Sequence, residues 1–205
     1  MTNGLGGYAS GTLAGIPARK YHGLFVPNLT APKGRHIMIS RCDEIVIVGA
    51  RKCHIGGAEF ADNRVIGDSH KYLTEFRLDH RIAVWRYELD GCVLEKSIVM
   101  PHNQNTVCVR YELLAGDALT LHVRPYLSFR RHDESPLPTP SDFTVLASRG
   151  RHEVRRADSP LVLRMAMRAL ASTFVTEDRD EIEFFYRIER DRGDPPFESA
   201  HSPGY

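Results

Sequence analysis

Tryptophan occurs once in this 205-residue chain and cysteine four times. The cysteines, Cys42, Cys53, Cys92 and Cys108, form no C-x-x-C pair and are too sparse for a secreted disulfide scaffold. Reduced, buried thiols in a cytoplasmic protein are therefore expected. Excess charge is lacking as well: 27 Lys and Arg against 26 Asp and Glu leave a net charge of +1. That balance argues against bulk electrostatic binding of nucleic acid or of an anionic membrane, and neither is expected as a partner. No apolar run approaches the ~20 residues needed to span a bilayer. The N-terminus has no basic n-region and no apolar h-region, so no signal peptide is expected.

Familiar catalytic patterns are missing too. The ten histidines include no H-E-x-x-H, no H-x-H and no Cys/His zinc spacing, so no metal or other cofactor is expected. There is no G-x-S-x-G elbow to carry a nucleophilic serine. Gly4-Leu5-Gly6-Gly7-Tyr8-Ala9 fits a dinucleotide fingerprint in letters only. Three residues precede it, Gly11 and Gly15 interrupt any following helix, and no acidic residue lies about 20 positions on. The carboxylates Glu177, Asp178, Asp180, Glu181 and Glu183 form a charge run beside a strand, which reads as solvated surface. Arg192-Gly193-Asp194 reads as a turn.

What is present is β structure. Tyr87-Glu88-Leu89, then Asp90-Gly91, then Val93 onward is a hairpin with the turn dipeptide of type I′ geometry. Val107, Val109, Tyr111 and Leu113 alternate with polar neighbours, and so do Leu119, Leu121 and Val123. His36 to Val48 shows two β-rich patches around a polar centre. Further strands are predicted over Phe143–Ala147, Leu161–Met167 and Glu183–Ile188, with a short helical turn as the alternative over Met165–Leu170. Arg130–Ser141 reads as a long polar loop and Arg190–Tyr205 as irregular. Ten to twelve strands and no long amphipathic helix imply an all-β fold, a large antiparallel β-sandwich with little helix, as a single domain over residues 1–205.

The stretch from Thr2 to Val26 stands apart. It holds six glycines, two tyrosines, a basic pair and a histidine. Its first half is too Gly-rich for a regular helix or strand. Aromatic faces with Arg, Asn and His donors suit sugar binding, where rings stack and hydroxyls take hydrogen bonds. Asn3, Tyr8, Arg19, Lys20, Tyr21 and His22 are the candidate site residues.

Asn3-Gly4-Leu5-Gly6-Gly7-Tyr8-Ala9-Ser10-Gly11-Thr12, followed by Arg19-Lys20-Tyr21-His22-Gly23-Leu24, closely resembles the N-terminal domain of bacterial and archaeal glycogen debranching enzymes of the amylo-α-1,6-glucosidase type. The similarity continues through Tyr87–Gly91, Leu94-Glu95-Lys96, Asn105-Thr106-Val107, Arg124-Pro125 and His132. The tail echoes it at Glu189, Arg192-Gly193, Glu198 and Pro203-Gly204. The resemblance implies an antiparallel β-sandwich that precedes an (α/α)6 barrel holding the catalytic carboxylates of an α-1,6-glucosidase. Those carboxylates are then not on this chain, and its expected partners are an α-glucan of the glycogen type and the missing C-terminal catalytic barrel. Met1 stands almost directly before the motif, and Pro195 and Ser199 occupy positions where the family pattern has aspartate. Two other readings stand beside this one: an autonomous carbohydrate-binding module, and a β-sandwich enzyme with a metal held by distant histidines.

Overall fold

The computed structural model describes residues 1–136, 142–148, 150–169 and 171–205, and only the backbone of residues 178–183. The first strands are β1 (Tyr8–Ser10), β2 (Gly23–Val26), β3 (Asn28–Leu29), β4 (Gly34–Val48), β5 (Arg51–His54), β6 (Ala58–Glu59) and β7 (Val65–Ile66). A meander follows: β8 (Leu73–Asp79), β9 (Ile82–Leu89), β10 (Cys92–Val99) and β11 (Cys108–Ala115). The rest comprises β12 (Thr120–Arg131), β13 (Phe143–Ser148), β14 (Arg151–Arg156), β15 (Val162–Ala166), β16 (Thr176–Phe185), the helix α1 (Arg187–Asp191) and β17 (Phe197–Gly204). The all-β expectation holds, with seventeen strands among the described residues rather than ten to twelve.

A large sheet runs β1-β2-β4-β12-β17-β16, with β3 and β5 also paired to β4. The meander forms a four-stranded sheet, β11-β10-β9-β8, and β13-β14-β15 forms a three-stranded one. All their pairings are antiparallel. The predicted hairpin is present: Leu89 pairs with Cys92, and Asp90 and Gly91 both take positive φ, +46° and +81°, as a type I′ turn requires.

Three clusters hold the layers together. Val46, Cys53 and Ile55 of the large-sheet region meet Tyr87, Leu89 and Leu94 of the meander. Met38, Ile39, Leu127 and Phe129 meet Val154, Leu161 and Leu163 beneath the three-stranded sheet. Phe60, Tyr126, Phe184 and Tyr186 form the third cluster. Apolar burial of this kind is the main favourable term in folding. Between the large sheet and the meander lies one buried polar link: the Glu44 carboxylate accepts from Lys96 Nζ at 2.7 Å and from the Tyr111 hydroxyl.

Several predicted elements are corrected. The two patches within His36–Val48 are one strand, β4, with a bulge at Ser40: Ile39 opposes Leu127 and Arg41 opposes Tyr126. A second irregularity lies in β12, where buried Phe129 adopts φ +54°. Glu183–Ile188 is not one strand, because β16 ends at Phe185 and α1 begins at Arg187. The region from Arg190 is not wholly irregular, since β17 pairs with both β12 and β16. Its interior, Glu198-Ser199-Ala200-His201-Ser202, is buried although mostly polar. Strand and core position there follow from partners elsewhere in the chain, so no apolar alternation marks them. Arg192–Asp194 is a turn, with Gly193 at φ +78°. Val162–Ala166 is extended, while Leu170 lies outside the described residues. So does the 137–141 portion of the predicted polar loop, whose first two residues close β12. All four cysteines are free thiols, but only Cys53 and Cys92 are buried and Cys108 is exposed.

Candidate functional site

The Gly-rich N-terminal loop is organised by the Asn3 side chain, which is fully buried. Asn3 Oδ1 accepts from the amides of Leu5 and Gly7, both at 3.0 Å. Its Nδ2 donates to the Gln104 carbonyl at 2.8 Å and to Asn105 Oδ1 at 3.0 Å. Gly4 and Gly6, at φ +82° and +88°, supply the left-handed turns that fold the loop around this amide. All the hydrogen-bonding capacity of Asn3 that geometry allows is thus engaged inside the chain.

The second motif is held from beneath. Glu189, on α1 and fully buried, accepts through Oε1 from Arg19 Nε at 3.2 Å and from the Lys20 amide at 3.1 Å. Lys20 Nζ lies 3.6 Å from the Asp194 carboxylate. The Lys20 carbonyl accepts from Arg130 Nη2 at 2.5 Å. Arg130 in turn donates to both carboxylate oxygens of Glu198, at 2.5 and 3.1 Å, and Ser128 and Tyr186 donate to the same carboxylate. Burial alone would lower the Arg130 pKa, but the charge and hydrogen bonds of Glu198 overcome it and hold the guanidinium charged. The left-handed Phe129 sits just before Arg130, at the irregularity that re-aims this part of β12.

Over this support lies an aromatic surface. The Tyr8 hydroxyl donates to the Tyr21 carbonyl at 2.8 Å. The rings of Tyr8 and Tyr21 both meet His132 edge to face, at 6.3 and 6.1 Å between centroids. Arg19 and Lys20 each lie 5.3 Å from the Tyr21 ring centre. His22 Nδ1 accepts from the Ala18 amide at 3.1 Å, so the ring is neutral with its proton on Nε2. Burial lowers the His22 pKa, and the neighbouring Arg19 charge lowers it further.

The structure therefore brings Tyr8, Arg19, Lys20, Tyr21 and His22 together, and places Asn3 in the adjoining loop as an internal fastener. Two buried polar atoms at this face, Glu189 Oε2 and His132 Nδ1, have no hydrogen-bond partner among the described residues. Glu189, Arg130, Glu198 and Tyr186 were not among the site residues read from the sequence. Glu189 and Glu198 carried one signal, as acidic positions of the resemblance in a tail expected to be irregular. Nothing local marked Arg130. Among the described residues no three metal-type side chains converge, and no helix is long and apolar enough to cross a membrane.

The motifs, their spacing and the all-β fold agree with a family comparison. The model of the family described as "Glycogen debranching enzyme N terminal" matches residues 1–205. The chain belongs to this family. No curated protein and no solved structure matches it. Within the glycogen debranching enzyme N-terminal family, then, the Asn3–Tyr8 loop and the Arg19–His22 segment of this member form one continuous structure, braced by α1 and β17 from the far end of the chain.

Proposed function

We propose that this chain is the non-catalytic sandwich domain of a glycogen debranching enzyme, and that its Tyr8–Tyr21–His22 face seats against that enzyme's catalytic barrel. One observation carries the reading: the motif's polar groups are already engaged within the chain. Asn3, Tyr8, Arg19 and Lys20 all bond to internal partners. A sugar site needs donors and acceptors free to replace water around hydroxyls. This face instead offers ring surfaces, the Nε2 proton of a neutral histidine and the partly exposed Arg19 guanidinium, the mix found at the core and rim of a protein interface.

The test combines this chain, as wild type or with His22→Ala or Tyr21→Ala, with the catalytic barrel of the same enzyme. Association weakened by about tenfold or more, with unchanged turnover and KM per assembled complex, supports the reading. Unaltered association together with a raised KM for branched glucan would overturn it in favour of direct sugar contact.

A further inference from the structure

One edge of the meander lacks the usual protection. β8 pairs with β9 alone among the described residues, so its other side is free. A bare row of N–H and C=O groups recruits another strand, and edges are commonly blunted by Pro, Lys, a bulge or an inward-pointing charge. Leu73–Asp79 contains no Pro, Lys or Gly. Its one irregularity lies between Leu73 and Glu75, which leaves Glu75–Asp79 as a regular run. A two-residue turn holds that run in place: Asp79 pairs with Ile82, and His80 and Arg81 between them take positive φ, +49° and +96°. The edge is therefore preformed, and pairing requires little further ordering.

The side chains of β8 divide by face. Phe76 and Leu78 point toward the large sheet and line the mouth of a cleft of about 330 Å³ with Leu13 and Trp85. Phe76 packs on Trp85 with ring centres 5.0 Å apart. This apolar surface is incompletely covered: Leu78 is 70% exposed, more than any other large apolar residue described, and Leu13 is 51% exposed. On the opposite face Glu75 and Arg77 are exposed charges, and Arg77 lies 3.3 Å from Glu75 and 2.9 Å from Glu95.

We infer that β8 is a self-association edge, pairing antiparallel with β8 of a second copy of this chain about a two-fold axis through Phe76. The register follows from the side chains. Keeping both cleft-facing sides on one side of the joined sheet requires some residue to stand opposite its own copy at the axis, because side chains alternate with period two. Phe76 is the midpoint of the strand, so a centre there overlaps all seven residues. It also sets Glu75 opposite Arg77 on both sides of the axis, with ring against ring between them. A centre at Glu75 or at Arg77 sets like charges opposite each other, and a centre at Leu78 pairs only Arg77–Asp79. Charge pairs this exposed fix the register more than they add affinity. Affinity comes from the edge hydrogen bonds and from covering Phe76, Leu78 and Leu13. A single-strand interface is at the small end of specific interfaces, so a Kd of about 10–100 µM is expected.

The experiment is sedimentation velocity on the intact 205-residue protein over about 1–500 µM, a range that brackets this Kd. The 23.2 kDa monomer should give way to a dimer as concentration rises. Glu75→Arg sets arginine against arginine on both sides of the axis and should weaken association by about tenfold or more, and Arg77→Glu should act alike. The double variant Glu75→Arg/Arg77→Glu restores opposite charges and should return the Kd to within about threefold of wild type. Circular dichroism checks that each variant is folded. A monomer at every concentration from natively folded protein, equal Kd in wild type and both single variants, or a double variant no tighter than the singles would overturn the inference. So would association lost through Arg110→Glu on β11, the other edge of this sheet, with the β8 variants silent. β8 contributes no residue to the Tyr8–His22 face, so failure here leaves the docking reading standing, and the reverse also holds.

Discussion

Replacing Asn3 with alanine separates a fastener from a ligand-binding side chain. The substitution removes four hydrogen bonds at once: two accepted from Leu5 and Gly7, and two donated to Gln104 and Asn105. The Gly7 amide bond is buried, so its unpaired N–H costs about 1–3 kcal/mol. The other three groups are partly accessible, and water replaces some of what they lose, at about 0.5–1 kcal/mol each. The total is about 2.5–6 kcal/mol, a large part of the ~5–15 kcal/mol that stabilises a domain. For a chain of this length each kcal/mol moves Tm by about 2–4 °C, so a fall of roughly 5–24 °C is expected. Scanning calorimetry of wild type and Asn3→Ala at one pH measures it. A Tm lowered by less than about 3 °C, with lost affinity for glucan or for the catalytic barrel, would refute the reasoning and return Asn3 to the binding surface.

Arg130→Lys keeps the charge but loses the planar fork that holds Glu198 and the Lys20 carbonyl together. A loss of about 2–4 kcal/mol in denaturant unfolding is expected, with faster proteolysis around residues 19–22; a midpoint within error of wild type would refute it. His22, His36 and His132 all have pKa values lowered by burial first of all, so the folded state refuses protons that the unfolded chain accepts below pH ~6.5. Their contribution is present above that pH and lost as the pH falls, so Tm should drop between pH 7 and 5, and His22→Gln should flatten the slope. A Tm that rises on acidification over that window would contradict the assignment. Gly57→Ala should cost more than about 3 kcal/mol or prevent folding, because its Cβ would lie 1.9 Å from the Ile66 carbonyl oxygen, whereas Gly11→Ala, with open space, should stay within about 0.5 kcal/mol of wild type.

Much of this protein is set by local sequence. The Asp90-Gly91 turn specifies the β9–β10 hairpin before any tertiary contact is known, and every second residue of β10 is buried, whereas the alternation over Leu119–Val123 belongs to β12 of the large sheet and not to the meander. The Gly-rich motif marks a loop of left-handed turns, and its residues in order identify the family. What lies beyond local sequence is whatever depends on partners distant along the chain. β17 is a buried strand made largely of polar residues, legible only once Arg130, Ser128 and Tyr186 are seen around Glu198. Glu189 reaches its partners across about 170 positions, through a helix that follows directly on a strand. The roles of the candidate residues divided for the same reason. Residue type makes Asn3 a plausible sugar donor, but hydrogen-bonding capacity is finite, and only the folded chain determines whether it is already filled.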